Sequence, residues 1–160
     1  MIEKYTPVSV AEKKVEENLK DKNINTKLVL LPTSAATAQM AADALGCEVG
    51  QIVKSLVFDS DKGPIFIAVS GKNRVDIQVF ENQTGIQLKK ADAGFVKTHT
   101  GFSIGGVSPA GISDEFTKFT DADLQTYEHV WCAGGSPQTV FRVTIPELLQ
   151  LNGPKIVKVN

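Results

Sequence analysis

Apolar residues recur at helical spacing in several segments of the chain. The first segment opens with a capping-box pattern, Ser9 followed by Glu12, and Val15 and Leu19 lie one turn apart, which predicts a helix from about Ser9 to Lys22. Glycine favours the left-handed position after a helix, and it is expected to close two further helices, at Gly46 and Gly85. The later predicted helices are a segment capped by Thr33 or Ser34 with Met40, Ala41, Ala44 and Leu45 on one face, Asn73–Thr84, Asp92–Val96, and a capping-box helix from Thr144 through Leu151.

Apolar runs bounded by turn residues predict strands. Ile52–Phe58 and Pro64–Ser70 are separated by Asp59–Gly63, whose composition is typical of a turn, so we expect a hairpin deep in a sheet. Because helices and strands are interspersed, we predict an α/β (α+β) fold, a single compact domain over residues 1–160 with a mixed, mostly antiparallel sheet flanked by helices. The other predicted strands are Ile24–Leu31, Val130–Ala133, Thr139–Val143 and Ile156–Val159.

Composition narrows the classes of function. Hydrophobic residues are 42% and charged residues 22% of the 160-residue chain, close to ordinary globular usage, which excludes wholesale disorder. The net charge is −1, from 17 Lys and Arg against 18 Asp and Glu, whereas a protein that binds nucleic acid by neutralising many phosphates is strongly basic. A nucleic-acid partner would therefore be held at one small place.

The cysteines and the apolar runs indicate whether the protein has a metal site and where in the cell it is expected. Cys47 and Cys132 are the only cysteines, and the sequence has neither a C-x-x-C motif nor an H-x-x-x-H pair, so we expect no disulfide framework and no metal site. The first ten residues hold no apolar signal core, and no apolar run approaches the roughly 20 residues of a membrane span. We therefore expect a cytoplasmic protein without a membrane partner.

Lys54 is the most informative single residue, because it interrupts an apolar strand. Ile52, Leu56 and Phe58 would share its face, and the opposite face is also mostly apolar, so the strand is predicted to be central. A lysine on an apolar face is rare unless its charge is paired. Two interpretations stay open: a snorkelling or carboxylate-paired structural lysine, and an ammonium held in a cleft for an anionic ligand.

The segment Thr100–Gly111, TGFSIGGVSPAG, holds four glycines and one proline in twelve residues. Glycine lets backbone N–H groups approach a ligand closely and proline stiffens a loop, so such a segment can hold a water or a carbonyl by main-chain groups alone. It matches neither the P-loop nor the G-x-G-x-x-G motif. The alternative is a tight connection with bulges. Ala133–Pro137 is likewise open to two interpretations, a pocket rim and a simple turn.

Side chains that act as acids, bases or nucleophiles are scarce. His99, beside the glycine-rich segment, is the better histidine candidate, with a surface role as its alternative, and His129 is expected at a strand edge. Cys132 is expected in the core, and Ser70 is not part of a G-x-S-x-G motif. The sequence therefore offers no credible catalytic triad. Four carboxylates in turn-like stretches are expected to be solvated, namely Asp59, Asp61, Asp121 and Asp123.

Four stretches in series resemble the YbaK/ProX family of aminoacyl-tRNA deacylases, which includes the editing domain inserted in bacterial prolyl-tRNA synthetases. Each is weak alone, but the order and spacing over about residues 33–151, with the lysine placed after Leu-Gly, make the series specific. The resemblance implies a compact mixed-sheet fold that hydrolyses, in trans, the ester of a wrongly charged tRNA. The stretches are LGCEVGQIVKSLVF (Leu45–Phe58), VSGKNRVD (Val69–Asp76), TGFSIGGVSPAG (Thr100–Gly111) and VWCAGG (Val130–Gly135).

The resemblance also implies roles for residues. Lys54 would lie near the terminal adenosine and its phosphate, and the backbone of the loop from Gly105 to Pro109 would position the ester carbonyl and the attacking water. The 2′-hydroxyl of the terminal ribose would assist that water, so neither a protein base nor a cofactor is required. The implied catalytic residues are Lys54, Gly105, Gly106 and Pro109, and the implied substrate-binding residues are Ser55, Ser70, Gly101, Val107, Ser108, Ala133, Gly134 and Gly135.

The implied partner is the acceptor 3′ end of an aminoacyl-tRNA, here expected to be tRNA(Pro) carrying a small non-cognate amino acid. Prolyl-tRNA synthetase and an elongation factor are further candidate partners, and the chain is expected to act as a monomer or weak homodimer. A pocket of small residues, which discriminates side chains by only about 1–3 kcal/mol, favours a small amino acid. The residues expected to line it are Ser55, Val69, Ser70, Ala133 and Gly135.

Four departures from the family pattern affect specificity. Ala133 and Val140 stand where members acting on cysteinyl-tRNA(Pro) carry Ser and Asp, and Ser55 stands where members acting on alanyl-tRNA(Pro) carry Asn. No histidine lies in residues 133–137, where the latter members have one. Neither specificity transfers, and the departures leave open a non-catalytic module that binds an aminoacyl-adenosine or a tRNA 3′ end.

Overall fold

The computed structural model describes residues 3–31 and 37–160. Its five helices are α1 (Val10–Asp21), α2 (Ala38–Leu45), α3 (Ile77–Thr84), α4 (Ala93–Thr100) and α5 (Ile145–Asn152). Each begins after a Ser, Thr or Asp whose side chain accepts a backbone N–H, as N-caps do. The predicted cap at Thr33 or Ser34 lies outside the described residues. No helix in the two described ranges is long and apolar enough to cross a membrane.

The strands form two hydrogen-bonded sheets. The strands are β1 (Glu3–Lys4), β2 (Val29–Leu30), β3 (Val53–Ser60), β4 (Ile65–Ser70), β5 (Leu88–Lys90), β6 (Thr117–Asp121), β7 (His129–Ala133), β8 (Thr139–Thr144) and β9 (Ile156–Val157). One sheet is antiparallel with the order β1-β2-β8-β7, and the other is mixed, β5-β3-β4-β6-β9, with parallel pairs at β4–β6 and β6–β9. The predicted mixed, mostly antiparallel architecture flanked by helices is confirmed, and it takes the form of two sheets.

The hairpin of β3 and β4 is the centre of the mixed sheet. Its register pairs Lys54 with Val69, and every residue of β4 is buried, as the two apolar runs predict. Along β3, Val53 and Val57 pack into the core shared with the antiparallel sheet. Leu56 and Phe58 lie on the opposite face of the strand and pack against a second apolar cluster, which includes Phe80 of α3. An isolated parallel bridge between Ile52 and Trp131 joins the two sheets, and the candidate site lies beside it.

Two predicted elements are shorter than expected. Only Val29–Leu30 of the predicted strand Ile24–Leu31 is a strand, because the chain there first terminates α1: Asn23 has a φ of 57° and Ile24 N donates to Leu19 O at 2.9 Å. The third helix begins at Ile77 rather than at Asn73. Asn73 is instead buried, and its side chain bonds to β6 and to the turn after it.

The helix and strand boundaries differ elsewhere by a few residues. The helix predicted over Asp92–Val96 continues to Thr100, and the last strand ends at Val157. The predicted glycine caps are present with positive φ, 69° at Gly46 and 73° at Gly85. These caps follow from local sequence, since only the left-handed region closes a helix in this way.

Candidate active site

A cavity of about 430 Å³ opens where β3 approaches β7 and β8. Lys54 and Ser55 of β3, Gly105 and Val107 of the glycine-rich segment, and Ala133 at the end of β7 border it. The structure thus brings together five of the residues that the sequence singled out, from three of the four family-like stretches. Much of the remaining wall is apolar and includes Ile52, Val53, Trp131 and Val140.

Lys54 is half-buried, and its Nζ donates a hydrogen bond to the main-chain carbonyl of Asn73. Burial lowers the pKa of this ammonium from its ordinary 10.5, the nearby Arg74 lowers it further, and Asp121 acts in the opposite direction. The bonded partner is a neutral carbonyl, and among the described residues no carboxylate forms an ion pair with this lysine. An ammonium has three N–H donors, and this carbonyl uses one.

Asp121 lies near Lys54 of the candidate site, and the sequence analysis did not identify it as a site residue. The sequence predicts a solvated carboxylate at this position, but Asp121 is 1% exposed at the end of β6. Its carboxylate accepts hydrogen bonds from Ser70 N at 3.0 Å, Asn73 Nδ2 at 2.9 Å and Asp123 N at 2.9 Å, so the buried charge is satisfied. The available signal was the position of the Asp121–Asp123 pair directly after an apolar strand.

The glycine-rich segment borders the cavity with Ile104, Gly105 and Val107. Gly105 is exposed with a φ of 94°, a conformation that favours glycine, and Ile104 is 62% exposed beside it. Within the described residues, the amide N–H groups of Gly105 and Val107 donate to no protein acceptor. Two residues that border the cavity therefore carry main-chain donors without a protein partner.

Gly106 differs from its neighbours, because it is buried and its N–H donates to Ser103 O at 3.0 Å. A Cβ on Gly106 would lie 2.8 Å from the carbonyl oxygen of Gly135. Gly135, with a φ of 102°, is itself packed against α1, where an added Cβ would lie 2.8 Å from Ala11 O. The segments Thr100–Gly111 and Ala133–Pro137, here called the two glycine segments, thus pack directly on each other. This packing requires residues without side chains at both Gly106 and Gly135.

Five other predicted site residues do not border the main cavity. Ser70 is fully buried and its Oγ donates to Gly50 O at 2.7 Å, and Ser108 Oγ accepts from Ala110 N at 3.1 Å. Gly101 closes α4 with a φ of 78°. Gly134 N donates to Thr139 O at 2.8 Å, and Pro109 borders a separate polar pocket of about 200 Å³. These five hold the local structure and do not border the main cavity.

The Ser55 hydroxyl is buried and has no hydrogen-bond partner among the described residues. An unpaired buried hydroxyl is costly, and this one belongs to a residue that borders the cavity. The hydroxyls of Ser136 and Thr139, which also border the cavity, bond to each other at 2.7 Å.

Titratable side chains at the cavity are few. Of the described residues that border it, only Lys54 and Cys132 titrate, and burial raises the pKa of the Cys132 thiol, which is in the core as predicted. His99 lies outside the lining, where its Nδ1 is 3.3 Å from Glu115 Oε1. In the described part of the chain, no three His, Cys, Asp or Glu side chains cluster as metal ligands would.

Known proteins share this architecture and sequence. A crystal structure described as "a putative trans-editing enzyme for prolyl tRNA synthetase" superposes with a TM-score of 0.89 at 42% identity, covering 96% of this chain and 99% of that one. The "Putative Cys-tRNA(Pro)/Cys-tRNA(Cys) deacylase EbsC" of Enterococcus faecalis is 25% identical over 130 residues, 77% of this chain and 76% of its own. The uncharacterized protein YwhH of Bacillus subtilis is 28% identical over 125 residues, 78% and 80% of the two chains.

The family follows from a match that covers most of the chain. Residues 33–151 match the family described as the aminoacyl-tRNA editing domain. The match contains every residue that the structure places around the cavity. The resemblance read from the sequence is confirmed, and with it the enzyme class, an aminoacyl-tRNA deacylase. This chain belongs to the aminoacyl-tRNA editing domain family.

Proposed function

We propose that this protein hydrolyses, in trans, the ester of a tRNA(Pro) mischarged with a small amino acid. The observation that carries the proposal is that an ammonium without a carboxylate partner and two unpaired backbone donors border one cavity. The descriptions of two relatives, which name prolyl-tRNA synthetase and Cys-tRNA(Pro), support the choice of tRNA.

Lys54 binds the nucleotide end of the substrate. Two N–H donors remain after the bond to Asn73 O, and a lysine point charge is ordinary chemistry for a phosphate. A single such contact agrees with the net charge of −1, which disfavours an extended phosphate-binding surface.

The N–H groups of Gly105 and Val107 bind the ester carbonyl and the negative charge that develops on its oxygen. Preorganised donors of this kind supply about 3–4 kcal/mol each to the transition state. Gly106, whose N–H is already bonded to Ser103 O, acts through packing instead. Pro109, which does not border the cavity, restricts the loop backbone.

Water is activated by the substrate. The described residues around the cavity include no carboxylate and no histidine, and the Cys132 thiol is held neutral by burial. The 2′-hydroxyl next to the ester is then the group placed to take part in proton transfer. Water attacks the carbonyl carbon, the C–O bond to the 3′-oxygen breaks, and the proton passes to that oxygen.

The wall favours an apolar aminoacyl side chain. Ala133 and Val140 offer no polar group, and the Ser136 and Thr139 hydroxyls bond to each other. A wall of this kind binds alanine or 2-aminobutyrate by packing, with discrimination of about 1–3 kcal/mol.

The test is a deacylation panel on tRNA(Pro) carrying Ala, Cys, Ser, Thr or 2-aminobutyrate, with Lys54→Ala and, as matched control, the exposed Lys155→Ala. We expect hydrolysis of at least one charged tRNA, a loss of roughly 100-fold or more in Lys54→Ala, and no change in Lys155→Ala. Full activity in Lys54→Ala contradicts the mechanism. Tight binding with no hydrolysis on any charged tRNA supports the non-catalytic module instead.

A further inference from the structure

Helix α1 precedes the residues matched by the family, yet it contacts both glycine segments next to the cavity. On one side, Ser136 Oγ donates to Glu12 Oε2 at 2.8 Å, and Gly135 packs on the carbonyl of Ala11. Glu12 is 3% exposed and also accepts the Ser9 amide at 3.2 Å. The capping box of α1 therefore also holds the Ala133–Pro137 turn.

Lys14 makes the second connection, one helical turn from Ala11. Its Nζ donates to Thr100 O at 2.7 Å, at the C-terminal end of α4, where the helix dipole favours a cation. The same ammonium lies 4.5 Å from the centre of the Phe102 ring, within cation–π range. Its side chain also covers Gly111, where an added Cβ would lie 3.0 Å from Lys14 Cε.

These contacts fall at the two ends of the glycine-rich segment. Between these ends, Gly106 packs on Gly135, whereas Gly105 is exposed and the nearest atom to an added Cβ on it is Pro137 Cγ at 3.7 Å. Restraining Thr100, Phe102 and Gly111 therefore acts together with the packing of Gly106 on Gly135 to limit where the Gly105 and Val107 donors lie. A charge-assisted hydrogen bond at one end restrains more than a neutral contact would.

We propose that Lys14 is a positioning residue for the deacylation: it holds the ends of the Thr100–Gly111 segment so that the Gly105 and Val107 amides point at the ester. The proposal rests on the proposed function and adds a residue outside the family-matched range to the site. Lys14 touches no substrate in this scheme. Its effect is confined to the chemical step, because the amides stabilise charge that develops in the transition state.

The test compares Lys14→Met, which keeps the apolar stem and removes the ammonium, with Lys14→Arg, which keeps a donor. The exposed neighbour Lys13→Met is the matched control. Single-turnover and steady-state deacylation are measured on the aminoacyl-tRNA that the wild type hydrolyses. Hydrogen exchange of residues 101–111 is measured in the same proteins without substrate.

We expect kcat of Lys14→Met to fall about 10- to 100-fold, with KM within about twofold of wild type. Exchange over 101–111 rises in Lys14→Met only, and Lys14→Arg recovers both quantities. The proposal is overturned by wild-type kcat in Lys14→Met, by unchanged exchange, or by equal losses in the Met and Arg variants. If the wild type is inactive but hydrogen exchange is faster in Lys14→Met, the proposed reaction is rejected. If the wild type is active but hydrogen exchange is unchanged in Lys14→Met, only the role of Lys14 is rejected.

Discussion

Asn73 Nδ2 donates to Asp121 Oδ2 at 2.9 Å, while the main-chain carbonyl of Asn73 accepts from Lys54. One residue thus connects a buried carboxylate with the ammonium at the cavity. Because Asp121 also accepts the Ser70 amide, the ends of β4 and β6 and the turn at Asn73 are held together. The place of Lys54 is set by a carboxylate that it does not touch.

Replacing Asp121 with Asn is expected to lower the free energy of unfolding by about 3 kcal/mol, because an amide cannot satisfy the donors that face the carboxylate. Urea denaturation measures this loss. The exposed Glu17→Gln removes a charge without such partners and is expected to stay within about 0.5 kcal/mol of wild type. A similar stability for both variants would contradict the assignment of Asp121 as a structural anchor.

Gly106→Ala is expected to cost about 1–3 kcal/mol of stability and to lower deacylation about tenfold or more. The reason is that its Cβ would lie 2.8 Å from the Gly135 carbonyl, so both glycine segments must move. Thermal unfolding and the deacylation rate are the measurements.

Gly94→Ala is the matched glycine control, since Gly94 is exposed in α4 and an added Cβ there makes only an ordinary 3.4 Å contact. The free energy of unfolding of this variant is expected to rise by up to about 1 kcal/mol, and its deacylation rate is expected to stay unchanged. If Gly106→Ala behaves as Gly94→Ala does, the close packing of the two glycine segments is not required.

The buried carboxylate of Glu12 predicts a pH dependence. Burial acts to raise its pKa, but hydrogen bonds from Ser9, Ser136, Val8 and Tyr5 outweigh burial and leave the pKa below its ordinary 4.5. A depressed folded-state pKa contributes stability that is present above the unfolded value and is lost as pH falls through the folded value.

Glu12→Gln is therefore expected to be about 1–2 kcal/mol less stable than wild type at pH 7. This difference in the free energy of unfolding narrows as the pH is lowered from above 4.5 to below the folded-state pKa of Glu12. Urea denaturation from pH 7 to pH 3 follows the narrowing. A difference that stays constant across this range would show that the charge of Glu12 is not the stabilising feature.

Ser55→Ala is expected to raise the free energy of unfolding by about 1 kcal/mol, because it removes a buried hydroxyl without a partner. Deacylation is expected to fall at the same time, since Ser55 borders the cavity and its hydroxyl has no other partner among the described residues. The exposed Ser113→Ala serves as control and should change neither quantity. A less stable Ser55→Ala with full activity would contradict the assignment.

Sequence patterns predicted the features that depend on residues close together in the sequence. The capping boxes at Ser9 and Thr144 are both present, and the β3–β4 hairpin follows from two apolar runs and a turn. Lys54 was singled out because one charge on an apolar strand violates the pattern around it. These predictions need only the spacing of residues within one or two elements.

Long-range partners could not be predicted in the same way. Glu12 and Ser136 are 124 positions apart, and the partner of Lys54 is a carbonyl, which every residue carries. Asp121 was misjudged because its strand and the turn that buries it come together only in the fold. Family resemblance located the glycine loop, but the distinct roles of Gly105 and Gly106 depend on which N–H is already bonded.

The neutral partner of Lys54 has a consequence for encounter with RNA. A carbonyl leaves the full positive charge in place, so a local attractive potential sits within a molecule whose net charge is −1. Under the proposed function, the freed tRNA keeps about one phosphate contact after the ester is cut, so we expect product dissociation to be fast and only weakly dependent on salt.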